Sequence, residues 1–204
     1  MASASPRRQA LVDLLGLACR LAPADIDEEA HLLPEPTLAA INIAVAKARA
    51  VQASAQEVVV AADTLVVIDG DILGKPANSA EARSMLARLR ARAHQVLTGV
   101  LLRRADLEWA GVVSTRVLMR GYAATEVDAY IARGEPFDKA GGYAIQDETF
   151  RPVERLEGCY LNVVGLPLCA VAAGLTALGE GVTAGGPPPC EYCARGRPLV
   201  LRSG

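Results

Sequence analysis

The most restrictive stretch of this sequence is Val58-Val59-Val60-Ala61-Ala62-Asp63-Thr64-Leu65-Val66-Val67-Ile68, rich in β-branched residues, free of Gly and Pro, and carrying a single charge. It lacks the alternation of a strand with one wet face, and so predicts a strand buried on both faces. Asp63 interrupts it. A carboxylate at such a place costs several kcal/mol unless a metal, a cation or a reacting group needs it. The competing reading is an Asp at a strand end, hydrogen-bonded to nearby backbone N–H groups.

The rest of the pattern alternates helices with strands. Ser5 and Pro6 have the form of an N-cap and first helical residue, and the helix they start runs about three turns to Gly16. Pro23 to Pro36 is acidic and reads as an exposed connection. Ala39 to Ala53 reads as an Ala-rich helix carrying Lys47 and Arg49. Asn78 with Glu81 resembles a capping box for a helix running to about His94. His94–Arg103 and Glu108–Met119 predict a hairpin, Thr125 the cap of a helix closed by Gly134, and Tyr143–Gln146 and Cys159–Val164 two further strands. A last helix, Leu166–Leu178, ends at Gly179. A hairpin in the middle of this order calls for a mixed rather than purely parallel sheet. From Glu180 the composition shifts to Gly, Pro and Arg, which divides the chain into a domain over 1–179 and a tail over 180–204.

Composition narrows the functional classes. The 204 residues suit one domain, and 21 basic against 23 acidic side chains give a net charge of −2, so no global positive field attracts nucleic acid. The longest apolar stretch, Val163 to Leu178, falls short of the ~20 residues that span a bilayer, and no membrane partner is expected. Arg7 and Arg8 followed by Ala10-Leu11-Val12 resemble the start of a secretion signal, but Asp13 and Arg20 break it. Five cysteines, an odd number, read as reduced thiols, and the location expected is the cytoplasm.

Several residues stand out for their chemistry. Arg7 and Arg8 occupy the first turn of a helix, where the macrodipole disfavours cations unless an anion compensates; with Ser3 and Ser5 they form a candidate phosphate cradle, or else a frayed basic terminus. Lys75, in Gly74-Lys75-Pro76, is placed to reach a phosphate, though the segment lacks the glycines and the following Ser or Thr of a P-loop. Lys47 by itself reads as a solvated lysine. Gln146 ends Asp138-Lys139-Ala140-Gly141-Gly142-Tyr143-Ala144-Ile145-Gln146 on an amide that could read a base edge or simply face water. His31 and His94 are too far apart to suggest a nucleophile relay. Cys190-Glu191-Tyr192-Cys193 has zinc-ligand spacing but supplies only two of four ligands.

In this order, Ser3-Ala4-Ser5-Pro6-Arg7-Arg8, Lys47-Ala48-Arg49, Ala62-Asp63-Thr64, Gly74-Lys75-Pro76, His94 to Gly99, Asp138 to Gln146 and Asn162 to Pro167 resemble the Maf family of nucleotide pyrophosphatases across nearly all of residues 1–179. The resemblance implies a mixed, twisted sheet flanked by helices in an inosine triphosphatase-like α/β fold with a central cleft, often dimeric. It implies metal-assisted hydrolysis, with Mg²⁺ or Mn²⁺, of a nucleoside triphosphate between its α and β phosphates, by enzymes known for house-cleaning and for inhibiting septum formation. The family's phosphate-binding serine and arginines fall on Ser3, Arg7 and Arg8, its acidic site residue on Glu28, its lysines on Lys47 and Lys75, and its proton acceptor on Asp63. Asp63 and Glu28 are also the implied metal ligands. Arg7, Thr64 and Gln146 match the branch acting on dTTP and UTP. The family usually opens with a hydrophobic strand before the first serine, whereas only Met1 and Ala2 precede Ser3 here. An alternative of another class is a non-catalytic, nucleotide-sensing regulator of septum formation.

Overall fold

A computed structural model describes residues 1–181 and the backbone of 199–201. The buried run forms β1 (Val59–Ile68), and Asp69-Gly70 turns it into β2 (Asp71–Leu73), paired antiparallel with Val66 opposite Leu73. β3 (Ala93–Arg104) and β4 (Leu107–Met119) are joined through Ala105-Asp106, β5 is Val153–Glu157 and β6 is Leu199–Leu201. The sheet order is β2-β1-β3-β4-β5, with β6 also on β4; β5 and β6 both run antiparallel to it. The helices are α1 (Pro6–Asp13), α2 (Pro36–Ala50), α3 (Ser79–Leu89), α4 (Ala124–Ala132), α5 (Tyr160–Val164) and α6 (Leu168–Ala177). The α/β class and the flanked sheet match the expectation.

The chain forms two compact units, and β1, β3 and β4 each contribute residues to both. The first comprises Met1–Thr64, Leu97–Val113 and the described residues from Cys159 on. Its core joins Leu11, Val12 and Leu15 of the N-terminal segment to Val100 and Leu102 of β3, Trp109 of β4, and Val171 and Leu175 of α6. On another side, Ala44 and Ala48 of α2 pack with Val59 and Ala61 of β1 and Leu101 of β3. Here a glycine decides the geometry: a Cβ on Gly99 would lie 2.3 Å from the Ala40 carbonyl oxygen, so α2 rests on β3 backbone against backbone.

The second unit comprises Leu65–Val96 and Ser114–Gly158. Its interior is aromatic: Phe150 stacks on Tyr130 at 4.5 Å between ring centres and lies 4.9 Å from Tyr122, whose hydroxyl donates to the Leu86 carbonyl at 2.6 Å. Asn78 caps α3 by accepting from the Glu81 N–H at 3.0 Å, while Glu81 accepts from the Ala77 N–H at 2.9 Å.

Several boundaries differ from the expectation. α1 has eight residues and stops at Asp13. α2 starts three residues early, because Glu35 is its N-cap and Pro36 its first residue, so this proline opens a helix instead of a loop. α3 ends at Leu89, short of His94. Thr125 lies inside α4, where Glu126 accepts from the Ala123 N–H at 2.7 Å and supplies the cap. Residues 143–146 form no strand, since Gly141 and Gly142 take φ of 68° and 70° and lead into a turn. Cys159–Val164 is not a strand but holds the short helix α5, closed by Gly165 at φ 123°. β5 occupies Val153–Glu157, where no strand was expected. Cys19, Cys159 and Cys169 are free thiols. Cys190 and Cys193 lie outside the described residues.

Candidate active site

The site is assembled on the first unit around Asp63, in the middle of β1 and 5% exposed. Lys47 reaches it from the last turn of α2 and is 7% exposed, with Nζ 2.6 Å from Asp63 Oδ1. The seating of α2 on Gly99 and the closure of its C-terminus by Arg103, whose Nη2 donates to the Ala48 and Val51 carbonyls at 3.2 and 3.0 Å, fix where that last turn lies. The sequence alone made Lys47 a surface lysine; the structure buries it against a carboxylate.

Glu28 closes the group from a different part of the chain, its Oε1 2.7 Å from Lys47 Nζ. It precedes a 3-10 turn, Glu29–His31. Asp27 caps that turn by accepting from the Glu29 and Ala30 N–H groups at 3.1 and 3.4 Å, and Asn42 of α2 ties it down by donating to the His31 carbonyl at 2.8 Å. One ammonium therefore sits between two carboxylates, Asp63 buried with it and Glu28 partly open to solvent, and burying the Lys47–Asp63 pair is costly.

Arg8 approaches from α1. Its Nε donates to the Gly165 carbonyl at 2.7 Å and its Nη2 to Thr64 Oγ1 at 3.0 Å, so the fork is held in a defined orientation. Burial lowers the pKa of the guanidinium, the charges of Asp63 and Glu28 raise it, and Arg7 lowers it. Thr64, adjacent to Asp63, thus has its hydroxyl engaged by Arg8. Ser3 is buried and accepts from the Ser5 N–H at 3.1 Å, which leaves its own hydroxyl proton able to donate; Ser5 caps α1 by accepting from the Arg8 N–H. Arg7 occupies the first turn of the same helix.

Lys75 and Gln146 belong to the second unit. Lys75 is exposed on the loop after β2, whose Gly74 carbonyl accepts from the Gly141 N–H at 2.9 Å. Gln146 is exposed in a turn anchored by Asp147, which accepts from the Phe150 N–H at 2.6 Å and pairs with Arg133 at 2.8 Å. The structure thus brings together Arg8, Glu28, Lys47, Asp63 and Thr64, with Ser3 on the same unit.

The family sequence profile of Maf-like protein matches residues 1–178. The chain belongs to this family. Among its relatives, the dTTP/UTP pyrophosphatase of Thermomicrobium roseum is 46% identical, covering 95% of this chain and 91% of that protein. The one from Syntrophomonas wolfei subsp. wolfei is 43% identical over 89% of this chain and 98% of its own, and the one from an Anaeromyxobacter species 46% identical over 84% and 85%. In this Maf-like chain, Thr98 is a site residue that the sequence did not single out, although it lies within the His94 to Gly99 segment; its signal is a hydroxyl in the apolar run Val96-Leu97-Thr98-Gly99-Val100. It is fully buried, with Oγ1 3.0 Å from Thr64 Oγ1.

Among the described residues, no three His, Cys, Asp or Glu side chains converge as metal ligands. The acidic pair at Lys47 is a two-carboxylate set, short of the ligand number of a dedicated protein cage. Among the same residues no helix is long and apolar enough to cross a membrane.

Proposed function

We propose that this protein is a nucleoside triphosphate pyrophosphatase that hydrolyses dTTP and UTP between the α and β phosphates, releasing the monophosphate and pyrophosphate. The observation that carries the reading is the buried Asp63–Lys47 pair, joined by the partly exposed Glu28, beside the oriented fork of Arg8, in a chain 42% identical or more to relatives named for that activity. A triphosphate brings about four negative charges, which Arg7, Arg8 and the Lys47 ammonium answer, with the Ser3 hydroxyl donating to a phosphate oxygen.

Asp63 is the proton acceptor. It takes a proton from water as the water oxygen attacks a phosphorus flanking the α–β bridge, and the bridge bond breaks in line. Lys47 releases its hold on the carboxylates to follow the charge that develops on the phosphates. A divalent cation suits the pair, because Mg²⁺ is commonly held by one or two carboxylates together with substrate phosphates. Asp63 and Glu28 would hold it, and bound there it would supply charge neutralisation on the phosphates. Lys75 keeps the role of second site lysine, and Gln146 that of a match to the dTTP- and UTP-acting branch, which the resemblance gives them. The reading extends to a catalytic domain over 1–179, supported by a family match that ends at residue 178, and to a cytoplasmic homodimer.

The test is a panel of dTTP, UTP and ATP with Mg²⁺ or Mn²⁺. Pyrophosphate release from the two pyrimidine substrates in preference to ATP is the expected result. Tight binding of all three without turnover would replace the enzyme by a nucleotide sensor.

A further inference from the structure

Thr98 sits on β3 and makes two contacts through one oxygen. Its Oγ1 is 3.2 Å from the Asn162 carbonyl, to which it donates, and 3.0 Å from Thr64 Oγ1. Thr64 Oγ1 in turn accepts from Arg8 Nη2 at 3.0 Å. A hydroxyl has one proton to give. With the Thr98 proton on the Asn162 carbonyl, the Thr64 proton points to Thr98, and a Thr64 lone pair faces the guanidinium. The other acceptor within reach of Thr64 is the Gly165 carbonyl at 3.4 Å, which already accepts from Arg8 Nε at 2.7 Å. The longer contact to a shared oxygen is the weaker one. Three hydrogen bonds then run in one direction, from the Arg8 guanidinium through Thr64 and Thr98 to a backbone carbonyl, and each polarises the next.

We propose that Thr98 is a positioning residue for Arg8, acting through the Thr64 hydroxyl. The inference rests on the reading of Arg8 as a phosphate-binding group. Replacing Thr98 with Val keeps the shape and removes the acceptor for the Thr64 proton. That proton then turns to the Gly165 carbonyl and competes with Arg8 Nε for it, so both bonds that orient the fork are disturbed by a residue that touches neither the arginine nor the substrate.

Three variants and a double mutant test this. Thr98→Val is expected to raise KM for dTTP about five- to tenfold with a smaller effect on kcat, and Thr98→Ser, which keeps the hydroxyl, to stay within about twofold of the parent. In a Thr64→Val background, Thr98→Val is expected to add nothing further, since the relay is already cut. An equal penalty in that background, or a Ser variant as impaired as the Val variant, overturns the proposal. A second readout needs no substrate: the ¹⁵N order parameter of Arg8 Nε in the free protein should fall in Thr98→Val and hold in Thr98→Ser. An unchanged order parameter in the Val variant overturns the relay whatever the kinetics. A lowered one in a protein that turns over no nucleotide supports the relay and removes the enzymatic reading alone.

Discussion

Lys47 and Lys139 are both nearly buried, with side chains 9% and 10% exposed, and each is held by two carboxylates. The resemblance ends there. Lys139, in the second unit, pairs with Asp138 and Glu135 at 2.6 and 3.2 Å, residues one and four positions away and themselves 60% and 39% exposed, and it also donates to the Glu135 carbonyl. Lys47, in the first unit, pairs across long stretches of chain with Asp63, whose side chain is 7% exposed, and with Glu28, whose side chain is 42% exposed. A lysine tied to its own turn stabilises that turn. A lysine buried against a strand carboxylate is costly to keep for stability alone, because an apolar pair would pack there as well or better. The lesson is that reach and the burial of the partner, more than the presence of an ion pair, separate a working group from a local strut.

The sharpest way to break the contrast is Asp63→Asn, which should retain the fold by circular dichroism while turnover falls about 10²- to 10⁴-fold in a pyrophosphate-release assay. Normal turnover would remove Asp63 from the chemistry. Lys47→Met leaves a buried carboxylate without its cation and should lower urea stability by about 3 kcal/mol, a loss that adding Asp63→Asn partly restores.

Next in size is a pH effect in the second unit. Burial holds the His94 imidazole down at about 4, and its Nε2 lies 2.7 Å from the Tyr143 hydroxyl. The unfolded chain therefore takes up the proton first as pH falls, so stability is full above about 6.5, declines between about 6.5 and 4 by roughly 3 kcal/mol, and levels off below. His94→Gln should flatten that decline in urea midpoints measured across the range. The smallest effect belongs to Lys139→Met, expected to cost under about 1 kcal/mol and to leave turnover within roughly threefold, in line with short-range pairs of exposed carboxylates. A hundredfold loss of turnover there would erase the distinction between the two lysines.

What could be read from the chain follows the same division. Local chemistry was legible: Ser5 before Pro6, and Asn78 before Glu81, announce helix starts that the structure contains. Elements that depend on distant partners were not. Val153-Glu154-Arg155-Leu156-Glu157 is too charged to read as a strand and becomes one because β4 offers an edge, with Val117 opposite Leu156. Tyr160–Val164 is a short apolar segment, and no periodicity separates a five-residue helix from a strand. At the site, Asp63 stood out because its surroundings are apolar in sequence. Glu28 and Lys47 did not, because what singles them out is a meeting of β1, α2 and a connecting segment, and only the family resemblance put them forward.

The seat of α2 on Gly99 has a consequence for anyone reshaping this enzyme. Main chain resting on main chain acts as a depth stop: repacking the helix with bulkier or smaller apolar side chains can tilt or loosen it but cannot bring it nearer to β3. The reach of Lys47 toward Asp63 is thereby insulated from drift in the surrounding core, and room for a larger nucleotide has to be sought in segments other than this helix.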